Sequence, residues 1–176
     1  MKKSVWIFGT VLGTVLCANM IYMVHLCYTK LDFESNDLVG YAALVVMFSL
    51  IFFGVRDYRN KQLDGVISFG KALKTGLMIA LVGSIMYVVV WLFCYYLFVP
   101  DYLDKYIPHV IKKTAENGAT ATELAAKEKE MDNFKEMYKN PFFVIIITFL
   151  EVFPVGLVVA LASALILKKR RIADVN

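Results

Sequence analysis

Four stretches of the chain, residues 4–28, 39–55, 75–99 and 142–167, carry between them a single formal charge, Glu151. Hydrocarbon offers no water to backbone N–H and C=O groups, so an apolar segment of about 20 residues crosses a ~30 Å bilayer core only as a helix, at ~1.5 Å per residue. All four runs fit that length, the second barely. The expected fold is all-α: a four-transmembrane-helix bundle with an extracytoplasmic helical hairpin between the third and fourth spans, at about 101–139. At 176 residues, 59% of them hydrophobic, the chain reads as one membrane domain rather than a soluble fold.

Charge gives the orientation. The N-terminus, the connection between the second and third spans and the C-terminal tail hold eleven basic residues against three acids. On the other side, the connection between the first two spans and residues 100–140 hold eight basic residues against eleven acids. Short basic segments stay on the cytoplasmic side, which places both termini there. Arg56 and Arg59, three residues apart, read as cytoplasmic anchors that contact anionic lipid headgroups. Such a basic surface needs no nucleic acid to explain it. Lys2 and Lys3 ahead of an apolar run resemble a signal peptide, but the run is too long and no small-x-small cleavage site follows, so it is expected to be retained as the first span.

Small residues recur every fourth position within the spans: Gly9, Gly13 and Cys17; Gly76, Ala80 and Ser84; Gly156, Ala160 and Ala164. Such stripes let helices approach closely. They serve packing inside the bundle or a homo-oligomer seam. The three cysteines read as small apolar fillers rather than a disulfide framework, with a Cys27–Cys94 bridge as the alternative. Trp91, Tyr95 and Tyr96 near the outer boundary, and Trp6 near the inner one, fit an aromatic belt, with a stacking site for an aromatic ligand as the minor alternative.

Three segments carry a resemblance: Gly40-Tyr41, Met47 to Arg59, and Gly65 to Leu73, the second reading MFSLIFFGVRDYR and the third GVISFGKAL. Together with the four-span layout and Glu151-Val152-Phe153-Pro154-Val155-Gly156, they resemble domain-of-unknown-function family 4199. The resemblance covers most of the chain, with 101–139 the least distinctive part. It implies a four-helix protein of a bacterial inner membrane, and it carries no catalytic or binding residue across.

The soluble segment is expected to form two helices. Residues 101–115 favour helix despite Pro108, Asn117-Gly118 marks a turn, and Thr120 with Glu123 has capping-box spacing. Leu124, Met131, Phe134 and Tyr138 form one apolar stripe on the second helix. Asn140-Pro141 should end that helix before the last span. The hairpin is a candidate surface for a protein partner. Ser68 is expected to cap the helix that becomes the third span.

Glu151 is the residue on which chemistry would turn. A carboxylate in the middle of a span costs about 2.5–3.5 kcal/mol to insert, so it should face the bundle and either pair or bind a proton. Asn19 in the first span lies at the same depth, about 13 Å below the outer boundary, and Ser49 in the second is nearly level with it. These three residues form the candidate intramembrane polar cluster. Pro154 leaves the carbonyl of Leu150 without its usual donor, next to the acid. His25 and His109 form no metal-ligand set, no phosphate-binding glycine loop is present, and no cofactor is expected. The expected function is non-enzymatic, structural or regulatory or partner-binding; the alternative is a small oligomeric proton-coupled transporter or channel using Glu151.

Overall fold

The computed structural model describes residues 1–29 and 37–169. The basic and acidic residues expected between the first two spans before Asp37, and Arg170, Arg171 and Asp174 of the tail, lie outside them. Seven α-helices follow in order: α1 (Lys2–Thr29), α2 (Asp37–Phe48), α3 (Leu50–Gln62), α4 (Phe69–Phe93), α5 (Tyr102–Glu116), α6 (Ala121–Met137) and α7 (Pro141–Leu167). Among the described residues there is no strand, and four helical segments are long and apolar enough to cross a membrane: Lys2–Thr29, Val39–Gln62, Phe69–Phe98 and Pro141–Leu167.

The second span is two helices joined at Ser49. The amide of Ser49 still bonds to the carbonyls of Val45 and Val46, at 3.0 and 3.2 Å, so the chain stays hydrogen-bonded through the joint. The span runs past the apolar run to Gln62, because Arg56 to Lys61 continue the helix into the basic connection. The third span begins with Ser68 at the N-cap position, in extended backbone, although its hydroxyl makes no capping bond. Its outer end widens into a π turn, Cys94–Phe98, where the amide of Val99 bonds to the carbonyl of Cys94 at 2.9 Å. Pro100 follows, which has no amide hydrogen to continue the ladder.

The central element is α4, which packs along both α1 and α7. The small-residue stripes make that approach. A Cβ built on Gly9 would lie 2.7 Å from the Val82 side chain, one on Gly13 2.7 Å from Met86 Sδ, and one on Gly76 3.0 Å from Ala160 Cβ. These faces are occupied within the bundle. The inner half of the bundle is filled by Leu12, Phe48, Ile51, Val55, Ile79, Ala80, Val152 and Ala160, all at most 1% exposed.

The basic end is tied together by polar contacts. Ser4 Oγ donates to Asp57 at 3.1 Å, Lys61 pairs with Asp57 at 2.5 Å, and Gln62 Nε2 donates to Ser4 Oγ at 3.2 Å. Ile67 and Lys169 exchange two backbone bonds, at 3.1 and 2.9 Å, which fastens the end of α7 to the connection before α4.

At the opposite end α5 and α6 form the expected hairpin, with Gly118 at φ 85° in the turn. The capping box forms: Glu123 N donates to Thr120 Oγ1 at 3.3 Å and Thr120 N to Glu123 Oε2 at 2.8 Å. Asn140 caps α7, its Oδ1 accepting from Phe142 N at 3.0 Å, with Pro141 in the first turn where no amide is missed. Lys135 of α6 pairs with Asp104 of α5, and Tyr28 at the end of α1 donates to Asp101 at the start of α5. The hairpin is thereby held down on the ends of the spans.

Candidate functional site

The packing of α2 creates a cavity. Among its described side chains only Phe48, next to the joint with α3, is buried, and α2 packs on α1 and α7 more than on α4. The space left has a volume of about 580 Å³. That falls within the roughly 300–1,000 Å³ typical of small-molecule sites.

Each wall comes from a different element. From α1 come Asn19, Met20, Met23 and Val24; from α2, Gly40, Tyr41 and Leu44; from α4, Tyr87 and Trp91. The hairpin supplies the roof with Tyr102, Leu103, Tyr106 and Phe134, joined by Tyr138 just beyond α6, and α7 supplies Thr148 and Glu151. Helical geometry explains the recruitment: Tyr87, Trp91 and Tyr95 are four residues apart and share one face of the third span, as do Thr148 and Glu151 three apart on α7.

The aromatic walls form a fixed network. Trp91 Nε1 donates to the Tyr138 hydroxyl at 3.1 Å. The Trp91 and Tyr102 rings meet edge to face at 5.2 Å, Tyr102 stacks on Tyr106 at 5.7 Å, and Phe134 lies 4.9 Å from Tyr138. Edge-to-face and offset contacts of this kind place rings firmly, because quadrupoles fix their angle as well as their distance. Burial pushes the phenols of Tyr102 and Tyr138 up from their ordinary value, so both are neutral.

Among the described residues, Glu151 is the only formally charged one lining this cavity, and it is an exposed residue of α7. Tyr87 is within its electrostatic reach. Among the described residues no ion pair reaches the carboxylate. Thr148 Oγ1, in a residue 3% exposed, lies near the Tyr138 hydroxyl and makes no hydrogen bond of ordinary geometry among the described residues.

The sequence singled out Asn19, Ser49 and Glu151. The structure places Asn19 and Glu151 on the wall of one cavity, while Ser49 does not line it. The Ser49 hydroxyl instead bonds back to the carbonyl of Val46 at 2.6 Å, at the joint between α2 and α3. α7 runs unbroken through Pro154. Trp91 and Tyr95, expected in a lipid-facing belt, are only 7% and 8% exposed and turn inward beneath the hairpin, whereas Trp6 is exposed. Of the two arginines expected to anchor on lipid headgroups, Arg56 is exposed, but Arg59 donates to the carbonyl of Leu167 at 3.3 Å and caps the last span. Cys17, Cys27 and Cys94 are all free thiols. The sequence did not single out Tyr87, Thr148, Tyr102 or Tyr106, although the 87-91-95 spacing was a usable signal, and it marked Phe134 and Tyr138 only as part of an apolar stripe.

The match that decides the family extends over residues 6–169, and its description is a protein of unknown function, DUF4199. The chain belongs to the DUF4199 family. No curated protein and no solved structure matches it. The DUF4199 match spans all four membrane-capable helices and the hairpin, so the cavity and every residue lining it fall inside the family's extent.

Proposed function

We infer that this protein is a non-enzymatic binding protein of a bacterial inner membrane, regulatory in role, with both termini cytoplasmic and the hairpin outside. Its outer cavity receives a small ligand, and the hairpin, through which α5 and α6 form the roof, passes occupancy to a protein partner or to a second copy of the chain. One observation carries this reading: a cavity of ligand size roofed by the α5–α6 hairpin, with a carboxylate in its wall that has no ion-pair partner among the described residues. The filled inner half of the bundle favours binding over passage, since side chains at most 1% exposed occupy the route from the cavity to the basic end. Anionic headgroups on the cytoplasmic side are the expected lipid contacts of Arg56.

Labelling tests the site. With the three native cysteines replaced by alanine, Asn19→Cys should react with a membrane-impermeant maleimide added outside spheroplasts and be protected in inside-out vesicles. Reaction only in inside-out vesicles, or in neither preparation, sinks the reading.

Glu151 with Pro154 one turn further along supports a second reading, a small oligomeric proton-coupled transporter or channel. Pro154 frees the Leu150 carbonyl beside the acid, a weak point at which a span can bend. In liposomes loaded with a pH-sensitive dye, that reading requires a proton flux that Glu151→Gln removes; equal traces for both proteins exclude it.

A further inference from the structure

Resting on the cavity as a ligand site, we propose that its ligand is an organic monocation, an ammonium group on an apolar or aromatic body, seated between Glu151 and the aromatic roof. Charge comes first. Among the described residues lining the cavity there is one carboxylate and no lysine, arginine or histidine, so a bound anion finds nothing there that neutralises it. A bound cation restores neutrality to a carboxylate that has no ion-pair partner among the described residues, which removes the main cost of holding that charge inside a span.

The walls refine the choice. Tyr41, Tyr87, Trp91, Tyr102, Tyr106, Phe134 and Tyr138 turn toward one space, and aromatic faces attract a cation through the ring quadrupole, most strongly where water is excluded. Seven rings around a single carboxylate are far more aromatic surface than a compact inorganic ion can use. A divalent ion needs several oxygen ligands, and no group of three His, Cys, Asp or Glu side chains able to hold a metal exists among the described residues. A bulky organic cation uses both parts of the site: its charge at Glu151, its body against the rings.

The position of Thr148 adds hydrogen-bonding chemistry. Its buried hydroxyl makes no hydrogen bond of ordinary geometry among the described residues and borders the cavity on the same face of α7 as Glu151, three residues away. Separate N–H groups of an ammonium donate to Thr148 Oγ1 and to the carboxylate, and the side-chain carbonyl of Asn19, across the cavity on α1, offers a third acceptor. A primary or secondary ammonium therefore fits better than a quaternary one. Met20 and Met23 line the α1 side with flexible, polarizable surface, which tolerates ligand bodies of more than one shape.

Three probes of matched shape separate charge from bulk: phenylbutylammonium, phenylbutanol and phenylbutyrate. Their binding to the full-length protein in zwitterionic nanodiscs is measured by calorimetry, so that no anionic lipid surface attracts the cation. The ammonium should bind at least about tenfold more tightly than the alcohol, and the carboxylate should bind weakest. Glu151→Gln should erase the difference between ammonium and alcohol, Glu151→Asp should preserve it, and Tyr102→Leu should weaken the ammonium several-fold while leaving the carboxylate intact. Melting curves of each variant confirm that it folds. Equal affinities for ammonium and alcohol, or a preference that survives in Glu151→Gln, overturn the inference and leave the ligand cavity standing. Failure of all three probes to bind overturns it as well, and the labelling of Asn19→Cys then decides whether the cavity reading falls with it.

Discussion

Gly156 shows how little space individual residues leave in this bundle. A Cβ there would sit 2.6 Å from Phe48 Cε1 and 2.9 Å from Ala80 Cβ, so the close approach of α7 to α4 and to the joint of the second span depends on a hydrogen in place of a methyl. Gly156→Ala should destabilise the protein by about 1–3 kcal/mol, the range for overpacking a filled core. Gly70→Ala is the matched control, since nothing lies within 4 Å of its built Cβ and α4 gains helix propensity there. Unfolding of both variants in mild detergent checks the pair, and equal midpoints would contradict the packing argument. The sequence identified the Gly156, Ala160 and Ala164 stripe as a close-packing face, but two uses for it remained, because spacing within one helix carries no information about which helix meets it. Gly83, whose Cβ would lie 2.9 Å from Leu12, went unread for a related reason: it lies one position before Ser84, off the four-residue stripe.

The secondary-structure elements follow the sequence most closely where local chemistry closes on itself. The capping box at Thr120 and Glu123 was legible because both partners lie within four residues. The π turn at Cys94–Phe98 and the break at Ser49 were not, because each answers to what packs around it: Tyr95 turns inward under the hairpin, and α2 packs on α1 and α7 more than on α4. The belt assignment of Trp91 and Tyr95 failed for the same reason, since an outer-boundary aromatic is lipid-facing only until a soluble element covers it. Because the cap is local, its loss should be local. Thr120→Ala should raise amide exchange at the start of α6 about fivefold and leave exchange in the four spans unchanged. The pH dependence has a definite sign. The backbone N–H and hydroxyl of Thr120 hold the Glu123 carboxyl below its ordinary value of 4.5. A carboxyl lowered in the folded state contributes stability that is complete above its unfolded value and disappears as the pH falls through the folded one. Protection at the start of α6, the exchange rate taken relative to that of the unfolded peptide at the same pH, should therefore fall on acidification below that ordinary value and stay flat toward alkaline pH. Loss of protection on the alkaline side would contradict it.

At the scale of the whole molecule the two ends of the bundle differ in kind. One end is basic and closed by Ser4, Asp57, Lys61, Gln62 and the Ile67–Lys169 pairing, while the other is acidic in balance, roofed by the hairpin and hollow beneath it. The sequence disclosed the charge asymmetry because it is a sum over segments. It put Asn19 and Glu151 at one level because helix rise is constant, and it did not disclose the cavity, which exists only because six helices fail to fill one space. The asymmetry is also the ground for the proposed orientation. Eleven basic residues against three acids on one side resist transfer across the membrane, and the eight against eleven on the other do not. A cysteine at Ala126, exposed on α6, should be modified by an impermeant reagent from outside intact cells, in protein lacking its native cysteines, whereas a fluorescent protein fused after Asn176 should fold and fluoresce in the cytoplasm. Replacing Arg56, Lys61, Lys71 and Lys74 by glutamine should weaken that bias and give a mixed population by both readouts, while the same number of lysine-to-glutamine changes in the hairpin should leave it intact. An inverted wild type, with Ala126→Cys labelled only in inside-out vesicles, would overturn the orientation and with it the reading of the cavity as a site open to the outside.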